Sequence, residues 1–278
     1  MNEVLEEWPA TETVFLTLDL ECDYGTAITK NRYDAARRIS PLVEFLEEFD
    51  LPLTCFVQTE LLDVAPEVID KLESANTHVE FHPHSHTHPR RSVADLEFEI
   101  AESVTRLRDR FETEPLGFRF PDGAAKTSDY ALLAEYDVVF DASLFPSWRP
   151  GRFNNRTRSR FPFRHEKTGI VELPFTVFSE QLRVPVALSY MKLFGRPYEW
   201  MIHNRPPSVL VFDFHMHDLM VPPAFDHLPR PYRLAYRRRR DEGSDIFRRL
   251  MKKLRRDGYE FGVMTDLYRK TEVSMSGQ

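Results

Sequence analysis

The chain has 278 residues, 42% of them hydrophobic and 13% aromatic, enough to build one large core on the scale of a single barrel-sized domain. Its 37 Lys and Arg against 44 Asp and Glu give a net charge of -7, which argues against a nucleic-acid partner, and no apolar run is long enough to span a membrane. Two cysteines, Cys22 and Cys55, are too few for a disulfide framework or a thiolate zinc site. The acidic first ten residues have neither the basic start nor the apolar run of a secretory signal, so the expectation is a cytoplasmic protein.

In chain order, residues 14–20 read as a buried strand that delivers Asp19, Glu21 and Asp23 at its carboxyl end. A helix is expected over 31–48, from Ala35, Ile39, Leu42, Val43 and Leu46 at helical spacing, with Pro41 kinking it or dividing it in two. Residues 53–57 make a second strand, 66–74 a helix begun by Pro66, and 78–81 a third strand. Ser92 is the expected cap of a helix carrying Leu96, Ile100, Val104, Leu107 and Phe111 on one face. Residues 117–120 form a fourth strand, and Ser128 caps a short helix to Tyr136. A long irregular loop over 146–167 follows, then strands at 171–177 and 208–214, a helix at 244–257 and a last strand at 261–264. Strands alternating with helices predict parallel βαβ units wound right-handed into a barrel or open sheet. No linker divides the chain, so a single domain is expected over 1–278, with its core at about 14–267.

Five of the ten histidines, His78, His82, His84, His86 and His88, fall within eleven residues. That density favours metal binding over packing, but ligand chemistry alone does not choose among them. The stretch His84-Ser-His-Thr-His88-Pro89 resembles the second motif of the polysaccharide deacetylase family (NodB homology domain, carbohydrate esterase family 4), in which His84 and His88 would be the ligands.

The family's first motif usually has adjacent acids. Here Asp19-Leu-Glu21-Cys-Asp23 resembles a branch with separated acids. The resemblance implies Asp19 as general base and Glu21 as metal ligand, with Asp23 an alternative ligand. Arg119-Phe-Pro121-Asp-Gly123 matches the third motif and implies that Arg119 pairs with the catalytic aspartate, while Pro121 and Gly123 border the substrate. A loose fourth motif supplies Asp141, to support Arg119 or the acid histidine, and Trp148, to line the sugar site. For the last motif two histidines compete: His215, at the strand end, is preferred as general acid, and His217 is retained as the alternative or as a supporting residue or substrate contact, with Asp218 orienting the working imidazole or capping the next helix.

The resemblance implies an α/β fold, an incomplete or distorted (β/α) barrel of the seven-stranded TIM-like type. The implied activity is metal-dependent hydrolysis of the acetamide of an N-acetylated sugar. Zinc is the first expectation for the divalent metal, and cobalt, nickel, iron or manganese suit the same ligands. A small linear or cyclic amide substrate, or a non-catalytic sugar-binding role, are the alternatives. Finally, residues 230–240 hold six arginines and basic residues continue to 256. Such a run is ordinarily a solvated face. The sharper expectation is a phosphate-bearing substrate or contact with a membrane surface through 230–256.

Overall fold

The computed structural model describes residues 2–150 and 152–277. Its organising strand is β1 (Thr13–Leu20), every residue of which is buried. The pleat sends Val14, Leu16, Leu18 and Leu20 into the layer between sheet and helices, and turns Phe15, Thr17 and Asp19 inward. Parallel to it run β2 (Leu53–Val57) on one edge and, beyond that, β3 (Val79–Pro83). A second parallel set is formed by β4 (Gly117–Phe118), β5 (Phe140–Asp141) and β6 (Val171–Glu172). The other edge of β1 takes β7 (Val209–His215), in a register that sets His215 opposite Asp19 and Asp213 opposite Thr17. A short β8 (Glu260–Gly262) pairs with residues 13–15 of β1.

Seven parallel strands, β1 to β7, thus curl into an incomplete barrel with two seams. At one, the Arg119 N–H donates to the Pro83 carbonyl at 3.1 Å. At the other, the Thr176 hydroxyl donates to the Val209 carbonyl at 3.0 Å and accepts from the Val211 N–H at 2.9 Å. A side chain there does the work of a strand. Beyond β6, Phe163–Arg164 and Glu3–Val4 extend the second sheet antiparallel.

Helices cover the outside, as a parallel sheet with apolar residues on both faces requires. They are α1 (Ser40–Glu48), α2 (Pro66–Glu73), α3 (Leu96–Phe111), α4 (Asp129–Glu135), α5 (Leu188–Phe194), α6 (Arg196–Asn204), α7 (Arg230–Tyr236), α8 (Gly243–Arg256) and α9 (Met264–Ser276). In α8, Ile246, Phe247, Leu250, Met251 and Leu254 form one buried face. Phe247 packs edge-on to Phe45 of α1 and lies against Phe214 of β7.

Several expectations are corrected. Residues 31–35 are not helical: a 3-10 turn at Ala36–Arg38 precedes α1, and Pro41 lies in its first turn, where no N–H is needed. Asp95, not Ser92, caps α3, accepting from the Phe98 N–H. The loop over 146–167 contains a small antiparallel ribbon, Trp148–Arg149 with Phe153–Asn154. The strand expected over 171–177 is regular only at Val171–Glu172, and α5, α6, α7 and α9 were not foreseen.

Candidate metal and catalytic site

Because alternate residues share a face, the carboxyl ends of the strands stack polar groups over an aromatic floor. Inward from β1 come Thr17 and Asp19, with Glu21 just past the strand end. From β7 come Asp213 and His215, and the loop after β3 brings His84 and His88. Below them lie Phe15, Phe56, Phe140 and Phe175.

Glu21, His84 and His88 form one buried cluster of possible metal ligands. One Glu21 carboxylate oxygen lies 3.2 Å from His84 Nε2 and 2.5 Å from His88 Nε2. His84 Nδ1 lies 2.8 Å from the Arg119 carbonyl, which can only accept, so Nδ1 carries the proton and Nε2 presents its lone pair. The two ring nitrogens of His88 are buried without a well-formed hydrogen bond. One carboxylate and two imidazole nitrogens converging in this way fit a divalent cation.

The loop holding the histidines is tightly wound. Ser85 and His88 both have positive φ, 65° and 58°. Glu99 of α3 clamps the turn, accepting from the His86 and Thr87 N–H groups at 2.8 Å each and from the Thr87 hydroxyl. Gly25, with φ 50°, passes so close that a Cβ there would lie 3.0 Å from both Glu21 Oε1 and His88 Cε1.

Asp23 is turned away from this cluster. Its carboxylate accepts from the N–H groups of Asp34 and Ala35, at 3.1 and 3.0 Å. His86 lies 3.0 Å from the Thr59 hydroxyl through Nδ1. His82 packs under the floor, with Nε2 3.4 Å from Glu80.

Arg119 is 1% exposed and sandwiched between the rings of Phe56 and Phe175. Its Nη1 reaches Asp19 at 2.6 Å, Asp213 at 2.9 Å and the Thr17 hydroxyl at 3.0 Å, while Nε donates to the Ala142 carbonyl. Asp213 was not singled out from the sequence, although it lies two residues before His215 and so shares its face. Burial, followed by the charge of Asp19, pushes the Asp213 carboxyl up to about 8. Asp141 contacts neither Arg119 nor the histidines through its side chain. It is fully buried with Ser143, Tyr130 and Glu172.

The two candidate acids differ sharply. His215 directs Nε2 to 3.8 Å from both Asp19 and Glu21, and Nδ1 is 3.1 Å from Asp218. Burial opposes its imidazolium, but the charge of Glu21, the hydrogen bond to Asp218 and the charge of Asp213 hold its pKa well above the ordinary value. His217 instead accepts the Tyr24 N–H on Nδ1. Burial, then the charge of His215, pushes it down to about 3, so it is neutral.

Asp19, Glu21, Arg119 and His215 open into a cavity of about 310 Å³. Its walls include Gly123, Phe145, Trp148, Tyr190, Tyr232 and Tyr236. Gly123 is required twice over: its φ is 64°, and a Cβ would meet the Phe145 ring at 2.8 Å. Pro121 lies on the far side of the same turn, against Ser85 and Phe120. The basic stretch is dispersed: Arg239 pairs with Glu199 and Glu242, Arg240 with Asp241, and Arg249 with Glu199.

Comparison with known proteins accords with this layout. Residues 10–139 match the family model described as polysaccharide deacetylase. No curated protein matches the chain. A solved Mycobacterium smegmatis protein assigned to the polysaccharide deacetylases has 16% identity and a TM-score of 0.61, covering 98% of this chain and 94% of that one. The peptidoglycan deacetylase PdaC of Bacillus subtilis has 13% identity and a TM-score of 0.51, covering 97% and 96%. A Bacillus anthracis pseudoenzyme of the CE4 family has 12% identity and a TM-score of 0.55, covering 93% of this chain and 66% of that one. At these identities the structural likeness concerns the fold alone. The polysaccharide deacetylase match spans the segment that carries Asp19, Glu21, His84, His88 and Arg119, and the fold around that segment is shared with these solved structures.

Proposed function

We propose that the chain is an active, metal-dependent deacetylase of N-acetylated sugars. The observation that carries this reading is that Asp19 and His215 flank the Glu21, His84 and His88 cluster at the cavity floor. Asp19 Oδ2 lies 3.9 Å from His84 Nε2 and 3.8 Å from His215 Nε2. A base and an acid thus share one reaction centre with a ligand set.

In this reading Glu21, His84 and His88 hold the divalent cation, zinc by first preference for such a donor set. When bound, the cation supplies Lewis acidity toward the acetamide carbonyl. Asp19 accepts the proton of the attacking water, and Arg119 fixes the orientation of its carboxylate through the 2.6 Å hydrogen bond. As the C–N bond breaks, His215 gives its Nε2 proton to the departing nitrogen, with Asp218 holding the ring from the other side. The products are acetate and an amino sugar. His217 packs behind His215, against Tyr24 and Tyr236, and Asp23 acts as the cap of the following turn. Trp148, 57% exposed at the cavity rim, offers a flat apolar surface for a sugar ring.

The test is amine release from a panel of N-acetylated sugars by metal-depleted and metal-reconstituted protein. Reconstitution should restore turnover. Stoichiometric cation uptake without turnover on any amide would place the chain with the inactive relatives.

A further inference from the structure

We propose that the outer face of α7 and the arginines following it dock the chain on an anionic lipid bilayer, holding the mouth of the catalytic cavity at the membrane surface. One short helix carries both halves of the argument. Tyr232, Ala235 and Tyr236 of α7 line the cavity. The opposite face presents Leu234, 65% exposed, among Arg230, Arg233, Arg237 and Arg238, all exposed.

These four arginines differ from their neighbours in being uncompensated. Arg239, Arg240 and Arg249 all have carboxylate partners. Among the described residues, the fixed side-chain contacts of the four are to backbone carbonyls, Arg233 to Leu228 and Arg238 to Leu193. Next to Leu193, Phe194 of α5 is 48% exposed at the cavity rim. A positive, partly apolar lip on a chain of net charge -7 is the part of its surface complementary to an anionic interface with an apolar interior. Guanidinium groups meet lipid phosphates while Leu234 and Phe194 enter the headgroup layer. A membrane at this lip faces the cavity mouth, so the substrate class that fits is an N-acetylated sugar carried on a lipid. That substrate assignment rests on the deacetylase reading, whereas docking does not.

The experiment is co-sedimentation of the full chain with vesicles of phosphatidylcholine alone or mixed with phosphatidylglycerol, at low and high salt. A basic residue at an anionic surface strengthens partition by about fivefold. The triple variant Arg230→Gln, Arg237→Gln, Arg238→Gln should therefore bind mixed vesicles about a hundredfold more weakly. Leu234→Ser should weaken binding at low salt, and high salt should release the wild type. Both variants should keep their circular dichroism and their turnover of a small soluble N-acetyl sugar. The proposal is overturned if the wild type ignores anionic vesicles, if the triple variant binds them equally, or if the variant keeps binding but loses affinity for a soluble phosphorylated substrate. Loss of turnover on every substrate with docking intact would overturn the deacetylase reading instead.

Discussion

His84 and His88 are two of five closely spaced histidines, and only their surroundings separate them from His82 and His86. His84→Ala or His88→Ala should each abolish tight binding of a divalent cation, measured by calorimetric titration, because each removes one of three proposed ligands. His86→Ala should leave it nearly unchanged, since that ring is engaged with Thr59. Equal loss in all three would mean that the ligand pair is misassigned. Asp19→Asn should retain the cation and lose about 10²- to 10⁴-fold in turnover, whereas Glu21→Gln should lose both. The motif spacing made Asp19, Glu21, His84, His88, Arg119 and His215 legible as candidates. Asp213 and Glu99 were not, because an acid in an apolar strand or amid a helix carries no signal until its partner across the fold is known. For Asp213 the pleat offered a hint, as it shares a face with His215.

At the scale of elements, long strands with two buried faces were easy to read, and β1, β2 and β7 appear close to where the pattern puts them. Short strands such as β4 to β6 are defined by neighbours rather than by their own sequence. The apolar periodicity through 35–46 suggested one helix, but Asp23 caps backbone N–H groups at 34 and 35 and a 3-10 turn intervenes. Packing between elements also gives a sharp contrast between glycines. At the start of α8, a Cβ on Gly243 would lie 1.8 Å from the Asp218 carbonyl oxygen, while Gly258 has open space around it. Gly243→Ala should cost about 1–3 kcal/mol by thermal unfolding and also depress turnover by shifting Asp218 behind His215. Gly258→Ala, with φ of 92°, should show local strain of about 1 kcal/mol and normal turnover. Equal activity loss in both would disconnect α8 packing from the proposed acid.

Across the whole molecule, stability should depend on a proton held on a buried side chain outside the proposed ligand set. Burial first, then the charge of Glu172, raises the Asp141 carboxyl well above the usual range, while Glu172 receives the Tyr130 hydroxyl at 2.7 Å and the Leu144 N–H at 2.9 Å. The folded chain therefore keeps a proton that the unfolded chain releases near pH 4. This stabilisation is complete below the unfolded pKa and declines as pH rises through the folded one. Asp141→Asn keeps a donor toward Glu172 without titrating, so its Tm should gain on the wild type as pH is raised from 5 to 9. Parallel curves would refute the shared proton. The order of strands has one more consequence, for synthesis. β1, β2 and β3 are consecutive in sequence and adjacent in the sheet, so Glu21, His84 and His88 have all been translated by residue 88, while His215 and Asp218 arrive much later, at the end of the strand on the opposite edge of β1 and just past it. A growing chain thus carries all three proposed cation ligands well before its proposed acid exists, with the Arg119 carbonyl that orients His84 arriving between the two.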